Sequence, residues 1–222
     1  MDIREDGYAG SFITFEGVEG AGKSSRCLTL VKSLEAAGFP VMHTREPGGP
    51  RASERIRDIL LDPGLRVTPL TELMLYLASR ASNTELLIRP ALEEGVNVIC
   101  ERFSDATFAY QIGGRGLPEE PVRNADGLAT GGLLPDLIVL LDLDPEVGLA
   151  RLERQGRERD RIEQEEIMFH RRVREMYLRL AGENPRYLVV DAEQEPLVQD
   201  RIIELEVTAM LEKRGSGRGE KR

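Results

Sequence analysis

The sequence predicts an α/β protein of three layers, with a central parallel sheet of about five strands between layers of helices. Two observations lead there. Short β-rich runs at residues 12–15, 41–44, 96–100, 137–143 and 187–190 alternate with longer stretches of helical periodicity. A glycine-rich turn at residues 17–24 follows the first run and opens the first helical stretch. Right-handed crossovers between parallel strands place helices on both faces, and the ligands of such sheets sit beyond the carboxyl ends of the strands.

The turn reads Gly17-Val-Glu-Gly-Ala-Gly-Lys-Ser24, a match to G-x-x-x-x-G-K-[ST], which makes the expected fold one of the P-loop NTPase type. Backbone N–H groups surround a phosphate chain only where side chains do not intrude, as Gly17, Gly20 and Gly22 permit. The helix that begins near Gly22 adds its positive end. Lys23 then reaches the β- and γ-phosphates, the Ser24 hydroxyl is placed to ligate Mg²⁺, and Val18, Glu19, Ala21 and Ser25 complete the donor-binding stretch. ATP or GTP with magnesium is the implied ligand. The guanine-reading sequence Asn-Lys-x-Asp is absent from all 222 positions, and a chain of this length has no room for the further modules of a motor. A small-molecule kinase is therefore the leading class, against a switch or scaffold that keeps the fold without phosphoryl transfer.

Further along, a helical pattern starts after Thr68-Pro69 and runs to about Glu94. Its apolar positions include Leu70, Leu73, Met74, Leu77, Ala81, Leu87, Ile88 and Leu92, leaving room for a second packing face. Between residues 151 and 161 the composition shifts to Arg, Glu and Gln around Gly156, which reads as an exposed, flexible segment. The expected organisation is a flexible N-terminus (1–10), a single domain (11–212) with a lid at about 151–163, and a disordered basic tail (213–222).

Composition limits the partners. With 41% apolar and 31% charged residues the chain can build a core, and a formal charge of −9 argues against a general nucleic-acid binder. Cys27 and Cys100 form no metal-ligand spacing, and with only His43 and His170 beside them no zinc cluster is expected; reduced thiols fit a cytoplasmic protein. No stretch approaches the roughly 18 apolar residues of a spanning helix, so no membrane partner is expected.

Beyond the P-loop the chain resembles bacterial thymidylate kinases from about residue 12 to residue 191. The likeness rests on Phe15-Glu-Gly-Val-Glu-Gly-Ala-Gly-Lys23, Thr44-Arg-Glu-Pro-Gly-Gly49, Ala78-Ser-Arg80, Glu101-Arg102, Ala109-Tyr-Gln111, Gly114-Arg-Gly116, Pro135-Asp136, Leu141-Asp142 and Asp160-Arg-Ile-Glu163, all in the family's order. The resemblance implies transfer of the ATP γ-phosphate to dTMP for dTTP synthesis. It further implies that Arg45 and Arg102 hold the acceptor phosphate and that Tyr76 stacks on the base. Arg80, Thr107 and Gln111 would contact the base, Tyr110 would pack on the deoxyribose, and Glu19 would face the 3′-hydroxyl. A homodimer through the long apolar helix is implied as well. Glu101 stands where the family usually has Asp, beside Ser24 at the magnesium position, and Phe103 stands where Tyr or His is common.

No general base is needed, because a phosphate monoester with a second pKa near about 6 already carries nucleophilic oxygens at neutral pH. Catalysis then reduces to alignment and charge neutralisation. Gly20 and Ala21 leave no arginine inside the P-loop, so the charge is expected from the lid, with Arg161 the first candidate and Arg154 the second. Arg157 and Arg159 read as solvated surface.

Overall fold

The computed structural model describes residues 7–154, 156 and 158–219. Five strands, all parallel, form one sheet in the order β2-β3-β1-β4-β5. They are β1 (Phe12–Glu16), β2 (Val41–Arg45), β3 (Asn97–Glu101), β4 (Leu137–Asp142) and β5 (Tyr187–Asp191), each within a residue or two of its predicted run. Central β1 is wholly buried because helices cover both of its faces, and alternate side chains feed different clusters. Ile13 and Phe15 pack with Val139, Leu141 and the helix residues Leu30 and Leu34. Phe12 packs instead with Val98, Cys100 and Phe103 over Ile88 and Leu92.

The helices follow the crossovers: α1 (Lys23–Ala36), α2 (Arg51–Leu61), α3 (Pro69–Asn83), α4 (Arg89–Glu93), α5 (Ser104–Thr107), α6 (Glu119–Thr130), α7 (Pro145–Glu153), α8 (Ile167–Glu183) and α9 (Pro196–Gly219). The long pattern expected from 69 to 94 is interrupted: α3 passes through a π-helical stretch, Thr84–Ile88, before α4. Its start is as read, with Pro69 in the first turn and the Thr68 hydroxyl accepting from Thr71 N–H at 3.3 Å. A second π-helical stretch, Phe108–Gly114, continues α5 and carries two predicted acceptor contacts, Tyr110 and Gln111.

Two boundaries differ from expectation. Where the sequence suggests a disordered tail from residue 213, α9 continues to Gly219, and Arg214 bonds Asp136 through Nη2 at 2.7 Å and Ser11 through Nη1 at 2.9 Å. Long-range charge pairing thus fixes Arg214 near the start of a segment whose local composition favours disorder. The predicted flexible N-terminus falls on residues 1–6, outside the described residues, and on 7–10, of which Gly10 donates to the Leu92 carbonyl at 2.8 Å. Residues 220–222 also lie outside. Among the described residues no helix is long and apolar enough to cross a membrane.

One contact fixes the loop after β1 against the rest of the fold. A Cβ at Gly20 would fall 2.2 Å from the Gly148 carbonyl oxygen, and one at Gly148 would fall 2.2 Å from that of Glu19. Gly20 also has φ of +72°. Its lack of a side chain therefore serves the close approach of α7 as well as the phosphate cradle.

Candidate active site

The carboxyl ends of β1, β2 and β3 open into a cleft of about 780 Å³. Fourteen of the predicted site residues line it: Glu19, Gly20, Gly22, Lys23, Ser24, Ser25, Arg45, Tyr76, Arg80, Glu101, Arg102, Thr107, Tyr110 and Gln111. Val18 and Ala21 turn their side chains into the core, so their part in the cradle is backbone.

On the donor side, Gly17, Gly20 and Gly22 all have positive φ, which an L side chain rarely adopts. Lys23 Nζ folds back onto the carbonyls of Gly17 (3.0 Å) and Val18 (2.8 Å). Burial, reinforced by the Arg102 charge, lowers its pKa from 10.5 to about 7. Ser24 Oγ donates to Glu101 Oε2 at 2.5 Å, and His43 Nε2 lies 3.0 Å from Glu101 Oε1. Burial works to raise the Glu101 pKa, but the neighbouring His43 and the Ser24 hydroxyl outweigh it and hold the carboxylate below its ordinary range. Two hard oxygen donors at the mouth of the loop match the donor set of Mg²⁺.

Glu19 joins the donor loop to the acceptor side. Its Oε1 accepts from Arg102 Nη2 at 2.9 Å and from the Tyr110 hydroxyl at 2.5 Å, while Oε2 lies 3.3 Å from His170 Nδ1. Burial opposes the charged form, yet His170, Arg102, Lys23 and Tyr110 together push its pKa far down. Arg102 in turn donates to the Gly17 carbonyl and the Tyr177 hydroxyl and lies 4.8 Å from the centroid of the Tyr110 ring. Beneath it, fully buried Glu16 accepts from Phe103 N–H at 2.7 Å and Tyr177 OH at 2.8 Å; burial is the main reason its pKa rises to about 8.

Arg45 lines the cleft held by both carboxylate oxygens of Glu54 on α2, at 2.9 and 3.1 Å. Arg57, not picked out from the sequence, lines it too and donates to the Pro47 carbonyl at 2.8 Å. The signal was available, since Glu54, Arg57 and Leu61 fall at i, i+3 and i+7 on one helix face.

Arg80, expected as a base contact, is tied into a buried charge cluster. It donates to Glu46 (2.7 Å), Thr107 (2.5 Å), Asp126 (2.6 Å) and the Phe103 carbonyl (2.7 Å), which engages four of the five guanidinium N–H groups. Gln111, which lines the cleft, donates to Glu72 at 2.7 Å, and its Oε1 is buried with no hydrogen-bond partner among the described residues. Glu72, Tyr76 and Arg80 recur at i, i+4 and i+8, a spacing that points Glu72 to the same face; only the latter two were read as functional.

The lid arginines are not where a mobile segment would leave them. Neither Arg161 nor Arg154 lines the cleft, although Asp160, Ile162 and Glu163 do. Arg161 is 12% exposed, ion-pairs with Glu72 through Nη1 and donates from Nε to the Leu60 carbonyl at 2.9 Å. The same Glu72 takes Arg115 at 3.0 Å through both Nε and Nη2. Burial would raise the Glu72 pKa, but these partners hold it down. At the other end of the segment Arg151 bonds the Ala192 carbonyl, and Arg154 is exposed at the end of α7. Arg159, read as surface, pairs with Glu153; Arg157 lies outside the described residues.

A family model described as thymidylate kinase matches residues 15–202. Three similar proteins are named thymidylate kinase. That of Deinococcus radiodurans is 47% identical, covering 93% of this chain and 98% of its own. Those of Thermomicrobium roseum (47% identical, 92% and 97%) and Pelotomaculum thermopropionicum (45%, 91% and 93%) are comparable.

The burial of Arg80 between two carboxylates generates a stability prediction. Removing one member of a buried charge cluster leaves the others uncompensated, at a cost of about 3–5 kcal/mol. Arg80→Ala is expected to lower the denaturant midpoint accordingly, in addition to any loss of acceptor affinity. A midpoint within error of the wild type would contradict the structural share assigned to this side chain.

Proposed function

The chain belongs to the thymidylate kinase family and makes dTDP from dTMP with ATP as phosphate donor, and we propose how its residues divide that work. The backbone of residues 17–22 cradles the donor phosphates, with Lys23 leaving the Gly17 and Val18 carbonyls to reach them. Ser24 and Glu101 would hold Mg²⁺ or its waters, and the ion would neutralise charge on the phosphates when bound. The longer Glu101, in place of the family's Asp, spans to the Ser24 hydroxyl directly.

On the acceptor side Arg45 and Arg102 flank the dTMP phosphate and fix its nucleophilic oxygen, since charge neutralisation and alignment supply most of the catalysis in phosphoryl transfer. Tyr76 stacks on thymine, Gln111 Oε1 accepts from the base, and Thr107 with Arg80 closes the wall behind it. Tyr110 packs on the deoxyribose while its hydroxyl and Arg102 set the Glu19 carboxylate towards the 3′-hydroxyl. Arg161, and after it Arg154, supplies positive charge to the transferring phosphoryl from the lid. Arg161 does so by exchanging Glu72 for the phosphate, and closure then excludes water. The observation that carries this division of roles is the convergence of donor-loop and acceptor residues on one cleft.

The protein works in the cytoplasm, as a homodimer packed through α3 and its continuation. Leu70, Met74 and Leu86 are 58%, 51% and 63% exposed along that stretch, apolar surface that a second copy would cover. A monomer mass by light scattering at micromolar concentration would count against the dimer.

Acceptor selectivity gives the sharpest test. The C5 methyl that separates dTMP from dUMP is worth roughly 1–3 kcal/mol in an apolar pocket, or about 10–200-fold. In a coupled assay of ADP formation dUMP is expected to react that much less efficiently, and guanosine and adenosine monophosphates not measurably. Purine turnover equal to that of dTMP would sink the assignment of Tyr76, Arg80, Thr107 and Gln111 to the base.

A further inference from the structure

Behind the Ser24–Glu101 pair the fold brings together three side chains that phosphoryl transfer does not require in combination. Cys27 comes from α1, one turn beyond Ser24; His43 comes from the middle of β2; Glu101 ends β3. One ligand atom from each, the Cys27 sulfur, a His43 ring nitrogen and a Glu101 oxygen, lie within 4.8 Å of one another. His43 Nε2 is 3.0 Å from Glu101 Oε1 yet makes no well-formed hydrogen bond. The sulfur is fully buried, whereas His43 and Glu101 keep 26% and 13% of their side chains exposed, which gives a path from solvent.

The chemistry of this set is not that of magnesium. Mg²⁺ takes hard oxygens, keeps several waters and gains nothing from sulfur, while thiolate, imidazole and carboxylate together are the donors that select Zn²⁺ and its thiophilic neighbours. Three protein ligands leave a fourth tetrahedral position for water. Zinc–ligand bonds of about 2.0–2.3 Å put neighbouring donors roughly 3–4 Å apart, so the three atoms need only small rotamer shifts to close on an ion.

We propose that Cys27, His43 and Glu101 form a binding site for a thiophilic divalent cation of the zinc type, and that filling it through Glu101 Oε1 draws charge from the carboxylate whose Oε2 meets Ser24. The thiol proton leaves to solvent as the sulfur–metal bond forms. The ion thereby opposes the magnesium-dependent reaction from behind the loop, without occupying the nucleotide's own position. This second half rests on the reading that Ser24 and Glu101 face the magnesium of the nucleotide; the first half does not.

Titration of the metal-free chain with Co²⁺ alone tests the site. One equivalent should give tetrahedral d–d absorption with a sulfur-to-cobalt charge-transfer band, both removed by Zn²⁺. Cys27→Ser should lose the charge-transfer band, and His43→Asn should weaken Zn²⁺ binding by at least about 10–100-fold, the loss seen for outer-shell partners alone. Matching circular dichroism melts of the metal-free variants establish that they fold. No charge-transfer band in the wild type, or one that persists in Cys27→Ser, overturns the site. In the transfer assay, buffered Zn²⁺ should inhibit the wild type and spare Cys27→Ser, whose zinc-free rate should equal that of the wild type. Equal inhibition of both overturns the effect of the site on Glu101. Failure of the zinc-free wild type to phosphorylate dTMP would strike at the kinase assignment instead, and leave the cobalt spectrum unaffected.

Discussion

The ion pair between Glu19 and Arg102 is the contact on which the rest of the site depends. It joins the loop after β1 to the end of β3, and so the donor side to the acceptor side, at 2.9 Å. Among the described residues Arg102 is the only non-glycine with positive φ, at 66°. Such a conformation costs about 1–3 kcal/mol and persists only where the surroundings over-determine it. Here they do: its amide donates to the Phe15 carbonyl, and its guanidinium meets Glu19, the Gly17 carbonyl and the Tyr177 hydroxyl. The strained backbone and the pair hold the side chain across the mouth of the P-loop.

Around that pair the protein spends buried charge freely and compensates each instance. Glu46, Asp126 and Arg80 form one cluster behind the acceptor wall; Glu72, Arg115, Arg161 and Gln111 form another beside it. Both are built on α3, whose i, i+4 spacing puts Glu72, Tyr76 and Arg80 on one face, with Tyr76 and Arg80 lining the cleft, while Leu70 and Met74 are exposed. The π-helical stretch Phe108–Gly114 completes the wall from the opposite side, and irregular turns of this kind concentrate at functional sites. In the proposed reading, the Arg80 cluster holds the acceptor while the Arg161–Glu72 pair gives way on closure over the donor.

What was legible in the sequence is what local pattern controls. The P-loop turn and the five strands follow from spacing within a few residues, and the structure has them in those places, while Tyr76 and Arg80, four residues apart on one helix, both line the cleft. What escaped depends on partners far along the chain. Glu16, Glu46 and Glu72 read as ordinary acidic residues until Tyr177, Arg80 and Arg115 arrive from distant elements. Arg161 stands in a charge-rich run that looks mobile, but Glu72 and the Leu60 carbonyl anchor it. Helix α9 runs past its predicted end, and Arg214 within it bonds Asp136, 78 residues away. Composition carries no information about such meetings.

A double-mutant cycle of Glu19→Gln and Arg102→Lys, read as kcat/KM for dTMP at saturating ATP, tests the linking role of this pair most directly. Both variants keep the size of the side chain they replace, and a stability melt of each would show that the fold survives. If the pair couples the two halves of the site, the double variant should lose less than the sum of the single losses, with a coupling of about 0.5–3 kcal/mol, the range of residues in direct contact. Additive losses would mean that the two residues act independently and that the donor and acceptor sides are joined by something else.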